Sequence, residues 1–192
     1  MTITRQRIAS IDLLRGIVMV IMALDHTRDY FHADAMLFDP TDLSASNTAV
    51  FLTRWITHFC APVFVFLSGV SAFLYGRKIT KSELGSYLLK RGLFLVLLEV
   101  TVMTFLLSFN PFYNLIFLEV IWAIGISMIL LAALVQLPLR WLLAIGLVIF
   151  LGHNLLDYAP VSSQNTLFLL LHGRNAVFAL NAKHMVLMGY SV

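Results

Sequence analysis

Long apolar stretches separated by short polar segments form the main pattern along the chain. Five stretches are of the order of the roughly 20 residues that a helix needs to cross a hydrocarbon core: 11–24 (running on towards 32), 55–75, 88–108, 112–135 and 139–156. A sixth, 166–180, is shorter and is broken by the sequence His-Gly-Arg, so it predicts a partial or re-entrant helix. The pattern predicts an all-α, polytopic transmembrane bundle with about five to six spans, which forms one domain over residues 1–192.

The composition agrees with a membrane protein. Hydrophobic residues make up 60% of the chain and charged residues 12%, whereas an ordinary soluble domain is about 45–50% apolar. The single cysteine, Cys60, excludes an intramolecular disulfide, and we expect it to serve packing and no metal site. Because the chain has no Lys/Arg-rich tract, we expect no nucleic-acid partner.

Basic residues predict the orientation in the membrane. They cluster before the first span, between the second and third, and between the fourth and fifth: Arg5, Arg7, Arg77, Lys78, Lys81, Lys90, Arg91 and Arg140. The opposite loop, 33–53, carries three aspartates and no Lys or Arg. Because positive charge favours the cytoplasmic side, we expect a cytoplasmic N-terminus and a multi-pass protein of the inner (plasma) membrane. The alternative is a cleaved signal peptide ending near Ala-Asp-Ala at 33–35, which the charged segment before it disfavours.

The outer end of the first span, ALDHTRDYFH at 23–32, is unusually rich in ionisable groups. No proline or glycine occurs between residues 17 and 32, so one helix is expected to continue through this segment. The helical period then places four of its side chains on one stripe, with His26 about 100° around the axis: Asp25, Arg28, Asp29 and His32. Ionisable groups at membrane depth usually face a protein interior and serve a substrate or ion path. The alternative is an interfacial cap of salt bridges.

Other polar residues lie within the apolar stretches. Asn47 is expected to cap the second span and Pro62 to kink it. His58 lies at a depth similar to that of Asp25, although a lone buried histidine is more often a packing residue. Glu99 and Glu119 each need a cationic partner or a proton.

Two segments carry a resemblance to a known family. The first is RIASIDLLRGIVMVIMALDH followed by HTRDYFH, and the second contains RWITHFCAP and APVFVFLSGVSAFLYGRK. They resemble the bacterial membrane family related to the catalytic domain of heparan-α-glucosaminide N-acetyltransferase, with a weaker similarity to envelope-glycan O-acyltransferases. The matched positions are Asp12, Arg15, Gly16, His26, Ser68 and Gly69. Family members are usually longer, so we expect this chain to be an N-terminal part of such a protein.

The resemblance implies that an acetyl (acyl) group moves from acetyl-CoA on the cytoplasmic side to a sugar amine or hydroxyl on the other side. Acetyl-CoA would be a co-substrate, with no bound cofactor; the partners would be acyl-CoA, a sugar or glycan acceptor and the lipid bilayer, with a homo-oligomer as an option. Histidine suits this chemistry because its pKa lies close to neutrality. The predicted catalytic residues are, in order, His26, His32 and His58, with Asp25 and Asp29 orienting the imidazole.

Arg15 and Arg28 are the predicted residues for the co-substrate, because a guanidinium binds phosphate in a bidentate manner. For Arg15 the alternative is a simple ion pair with Asp12. Two other classes of function stay open at this point: a proton-coupled transporter that uses the same Asp, His and Glu groups, and a structural or assembly subunit. The sequence shows no internal inverted repeat that would favour the transporter.

Overall fold

The computed structural model describes residues 8–31, 40–42, 44, 46–152, 176–181 and 183–189. The chain divides into two compact units, Met1–Ser71 and Ala72–Val192. Most of the described residues are helical, which confirms the predicted class in its coarse form.

The first unit contains α1 (Ala9–Phe31), α2 (Thr48–Thr57) and most of α3 (Cys60–Gly76), which continues into the second unit. Helix α1 runs through the charged segment to Phe31, as predicted. The side chain of Asn47 accepts a hydrogen bond from the N–H of Val50 at 2.9 Å and caps α2, which confirms the predicted cap.

A two-residue turn at His58 and Phe59 separates α2 from α3. Its position follows from Pro62, because a proline ring clashes with the carbonyl four residues before it and lacks the N–H that would bond to it. The predicted kink is therefore confirmed. Just after the turn, Cys60 is buried with its Sγ 3.7 Å from the carbonyl oxygen of Val18 on α1, so its predicted packing role is confirmed.

The second unit contains helices and a small sheet. Its elements are α4 (Lys81–Leu98), a π-helical turn (Glu99–Met103), α5 (Thr104–Ser108), β1 (Leu115–Leu118), α6 (Val120–Leu134), α7 (Leu139–Gly152), β2 (Ala176–Asn181) and β3 (His184–Met188). Helix α4 begins with a capping box in which Thr80 and Glu83 satisfy each other's backbone N–H groups. Such a cap fixes where the helix starts.

Helices α4 and α6 pack at very short range through glycines. A Cβ on Gly92 of α4 would lie 2.6 Å from the carbonyl oxygen of Gly125 on α6, and a Cβ on Gly125 would lie 2.9 Å from the side chain of Val96. Small residues at such a contact let the two backbones approach closely, as is typical of helix pairs in membranes.

The three-stranded sheet corrects the all-α prediction. Its strand order is β1-β3-β2, with β1 parallel and β2 antiparallel to β3. The predicted span 112–135 therefore begins with a turn and a strand, and the last residues of the stretch 166–180 belong to β2. The left-handed backbone of Phe109, with φ of 49°, ends α5, and Tyr113, with φ of 51°, lies in the loop before β1. Residues 153–175 lie outside the described residues.

Two buried side chains protect the outer edge of β1. The Thr104 hydroxyl accepts the N–H of Phe117 at 3.3 Å and donates to the carbonyl oxygen of Glu99 at 3.1 Å. The carboxyl of Glu99 accepts the N–H of Glu119, directly after the strand, at 2.7 Å. Unsatisfied backbone groups are costly in an apolar environment, so these contacts allow a strand to lie against a transmembrane helix.

Two helical segments in the described part are long and apolar enough to cross a membrane: Thr48–Gly76 with 29 residues and Lys81–Ser108 with 28. Val120–Leu134 and Leu139–Gly152 are shorter apolar helices. The structure therefore fits a helical membrane protein, while the count of five to six spans and the cytoplasmic N-terminus stay predictions.

Candidate functional site

The polar centre of the first unit is Asp25, on α1. One oxygen of its carboxylate, Oδ1, lies 2.6 Å from Nη2 of Arg28 and accepts a hydrogen bond of 2.6 Å from the hydroxyl of Thr57. The other oxygen, Oδ2, accepts a hydrogen bond of 3.1 Å from Nη1 of Arg54. We call Asp25, Arg28, Arg54 and Thr57 the Asp25 cluster.

The Asp25 cluster is partly shielded from solvent. The side chain of Arg28 is 7% exposed, that of Asp25 17% and that of Arg54 30%. Two guanidinium groups share the Asp25 carboxylate. Charge-assisted hydrogen bonds of this kind are strong in a poorly hydrated site, and they hold the three side chains in defined positions.

Two of the four residues of this cluster, Asp25 and Arg28, could be recognised from the sequence. The helical period placed Asp25 and Arg28 on one stripe, because they lie three residues apart on one helix, and Arg28 was predicted to contact the co-substrate. Arg54 and Thr57 were not assigned a role, since they are 29 and 32 residues from Asp25 in the chain. The available signal was that Arg54 and Thr57 are themselves three residues apart and lie near the start of the predicted span 55–75, close to His58, which was expected at the depth of Asp25.

A second polar contact lies about 15 Å along α1 from Asp25, at 1.5 Å per residue. Nη2 of Arg15 donates a hydrogen bond of 2.5 Å to the hydroxyl of Ser71 on α3, whose hydroxyl in turn bonds to the carbonyl oxygen of Leu67. Asp12 is 3.9 Å from Arg15, a long distance for an ion pair. Arg15 thus has a neutral partner at short range and its countercharge at the limit of contact.

Neither His26 nor His58 joins the Asp25 cluster. His26 is exposed and makes no hydrogen bond or ion pair within the described part of the chain, although it follows Asp25 directly. His58 is also exposed, with its ring 6.5 Å from that of Phe59 in an edge-on arrangement. Asp29 lies in α1, but its side chain is outside the described part, as is all of His32. The partners of the Asp25 carboxylate within the described part of the chain are Arg28, Arg54 and Thr57, and its predicted role in orienting an imidazole stays a prediction.

Glu99 and Glu119 form a separate polar centre in the second unit. The exposed fraction of Glu99 is 1%, and its Oε2 has no hydrogen-bond partner among the described residues. Across the same residues, no group of three or more His, Cys, Asp or Glu side chains is arranged to hold a metal ion.

Two apolar helical segments of spanning length, a shielded charged cluster and a buried carboxyl fit an integral membrane protein with polar sites inside its helical part. The model of the family described as heparan-alpha-glucosaminide N-acetyltransferase, catalytic, matches residues 7–181. The chain belongs to this family, which is one of membrane acetyltransferases. The comparisons with curated proteins and with solved structures gave no match.

Proposed function

We propose that this protein is a membrane-embedded acyltransferase. It transfers an acetyl or other acyl group from acyl-CoA on the cytoplasmic side to a sugar amine or hydroxyl on the extracytoplasmic side of the inner membrane. The observation that carries this proposal is the family match over residues 7–181, which includes both α1 and the Asp25 cluster.

His26 is the residue to which we assign the proton transfer or the nucleophilic attack. An exposed imidazole is accessible to an acceptor, and histidine accepts protons near neutral pH. In the free protein His26 makes no hydrogen bond within the described residues, and catalytic hydrogen bonds often form only once substrate is bound. His32 and His58 are the second and third candidates.

The Asp25 cluster supports the reaction electrostatically in this proposal. Attack on an acyl carbonyl places negative charge on its oxygen, and fixed donors in a poorly hydrated site stabilise that charge strongly. Arg28 and Arg54 are both held on Asp25, and His26 is the next residue on α1 after Asp25. A bound acyl group at His26 would thus meet positive charge on the same helix.

Arg15 is proposed to bind a phosphate of the acyl-CoA. Its ion pair with Asp12 is long at 3.9 Å, and both side chains are substantially exposed, at 39% and 53%. A bidentate contact with phosphate would be stronger than this pair. Arg15 lies on the N-terminal side of Asp25 and His26, so the predicted cytoplasmic N-terminus would place it towards the donor.

Replacement of His26 tests the function. Membranes that contain His26→Ala are expected to transfer labelled acetyl from acetyl-CoA to an amino-sugar acceptor at least about 100-fold more slowly than wild type, which is the usual cost of losing a general base. His184→Ala is the matched control, because His184 is a histidine of the second unit with a partner of its own, Asn181, at 2.9 Å. Full transfer by His26→Ala at equal expression would reject the assignment. Absence of transfer by the wild-type protein would count against the acyltransferase itself.

A further inference from the structure

Glu99 is a buried carboxyl for which the proposed acyl transfer has no use. It lies at the start of the π-helical turn that interrupts the helix between α4 and α5. Its exposed fraction is 1%, so protein atoms rather than lipid enclose it. π-helical turns within α-helices occur frequently at functional sites. The position of Glu99 in such a turn therefore makes it a candidate functional residue.

The hydrogen bonds of Glu99 satisfy only half of its carboxyl group. Oε1 accepts the N–H of Glu119 at 2.7 Å, whereas Oε2 is buried without a partner among the described residues. No ion pair reaches Glu99 in the same part of the chain. An ionised carboxylate carries about four acceptor sites and is very costly to bury without a countercharge.

The elements packed against Glu99 supply no cation from their described residues. The π-helical turn, α5, β1 and α6 contain no Lys, Arg or His. The nearest basic residues on α4, Lys90 and Arg91, are about 12–14 Å away along the helix axis.

Tyr113 and His184, the titratable groups nearby in the described part of the unit, offer no positive charge to Glu99 either. Tyr113 donates its hydroxyl to the carbonyl oxygen of Thr101. His184 lies at the opposite end of β3, because the parallel register pairs Leu115 with Met185 and Leu118 with Met188. The group that does face Glu99 is a second acid, Glu119, whose backbone N–H it binds and whose carboxyl lies against Gly189.

We propose that Glu99 is a proton-binding site of the second unit, which holds its carboxyl in the neutral, protonated form at neutral pH. The bound ligand is a proton. A neutral carboxyl still accepts the N–H of Glu119, and it avoids burying a negative charge beside another acid. This site is distinct in chain position and chemistry from the Asp25 cluster and does not depend on acyl transfer.

Infrared spectroscopy of the purified full chain in lipid bilayers tests the proposal without any acyl donor. Wild-type protein at neutral pH is expected to show the carbonyl-stretching band of a protonated carboxylic acid. Glu99→Gln is expected to lose that band, since the amide oxygen still accepts the N–H of Glu119 but the acid is gone. Glu119→Gln is the matched control and is expected to retain the band.

A second measurement keeps Glu99 intact, in case Glu99→Gln fails to fold. The chain has three glutamates, Glu83, Glu99 and Glu119, so the double variant Glu83→Gln/Glu119→Gln has Glu99 as its one glutamate. Labelling this variant with carboxyl-¹³C glutamate is expected to shift the band to lower frequency. Absence of the band, no shift on labelling, or an unchanged band in folded Glu99→Gln would each overturn the proposal.

Discussion

At the scale of the residue, the carboxylate of Asp25 holds three other side chains in place. Arg28, Arg54 and Thr57 all bond to it, and two of the three bring positive charge. Removing one partner of a shielded ion pair costs more than the pair contributes, because a charge is left without its counter-ion. The cluster is therefore more sensitive to the loss of Asp25 than to the loss of any one donor.

Replacement of Asp25 measures this asymmetry. We expect Asp25→Asn to lower the free energy of unfolding by about 2–4 kcal/mol, since Arg28, at 7% exposure, and Arg54 then lose the carboxylate that they share. Thr57→Val removes a single hydrogen bond and is expected to cost about 1 kcal/mol. Thermal or denaturant unfolding in detergent compares the two variants. Arg54→Gln should cost less in the Asp25→Asn background than in wild type, and equal costs in the two backgrounds would contradict a shared cluster.

At the scale of the element, the close contact between α4 and α6 depends on residues without side chains. Gly92 and Gly125 bring the two backbones together, and nearby Leu88 is fully buried between Ala72, Leu84 and residues of α6. In a membrane, where lipid competes equally for apolar side chains, such packing is the main force that joins two helices.

Adding one methyl group to this contact is expected to separate the helices. In Gly92→Ala the new Cβ would lie 2.6 Å from the carbonyl oxygen of Gly125 and 2.8 Å from Cγ1 of Ile129. We expect a loss of about 1–3 kcal/mol, measured as a lower unfolding midpoint in detergent. Gly146→Ala in α7 is the control, because a Cβ on Gly146 would contact no other described side chain within 4 Å. Alanine forms helices better than glycine, so this replacement should be neutral or should stabilise the protein by up to about 1 kcal/mol. A stabilising Gly92→Ala would show that the contact is not tight in solution.

Local signals in the sequence predicted local structure. The absence of breakers before residue 32 predicted the length of α1, Asn47 predicted the start of α2, and Pro62 predicted the break at His58. The strands were missed because β1 pairs with residues 70 positions later, and an apolar run of spanning length masks a four-residue strand. Arg54 was missed as a partner of Asp25 for the same reason, since no periodicity within one helix reports a contact with another.

At the scale of the whole molecule, the membrane explains the large apolar surface. Helix α7 has no buried residue along its length, and Phe150 on it is 78% exposed. In water such a surface would drive aggregation, whereas in a bilayer it is solvated by lipid. The distribution of basic residues separately predicts that the charged segments 77–81 and 40–44 lie on opposite sides of the membrane.

Labelling of single cysteines tests that orientation. The native Cys60 is buried and is expected to be unreactive in the folded protein. A membrane-impermeant maleimide should label Ser44→Cys in intact cells, and should label Lys78→Cys only after the cells are permeabilised, because positive loops stay in the cytoplasm. The two variants serve as each other's control. The reverse pattern would place the N-terminus outside and would move Arg15 away from a cytoplasmic donor.

The contacts on the outer edge of β1 affect where another strand can pair with the sheet. Among the described residues, Thr104 and Glu99 occupy the outer side of β1, and β3 lies in the middle of the sheet. The remaining edge of the described sheet is β2. Because an unpaired edge is a template for pairing with another strand, β2 is the edge at which we expect an added strand to pair.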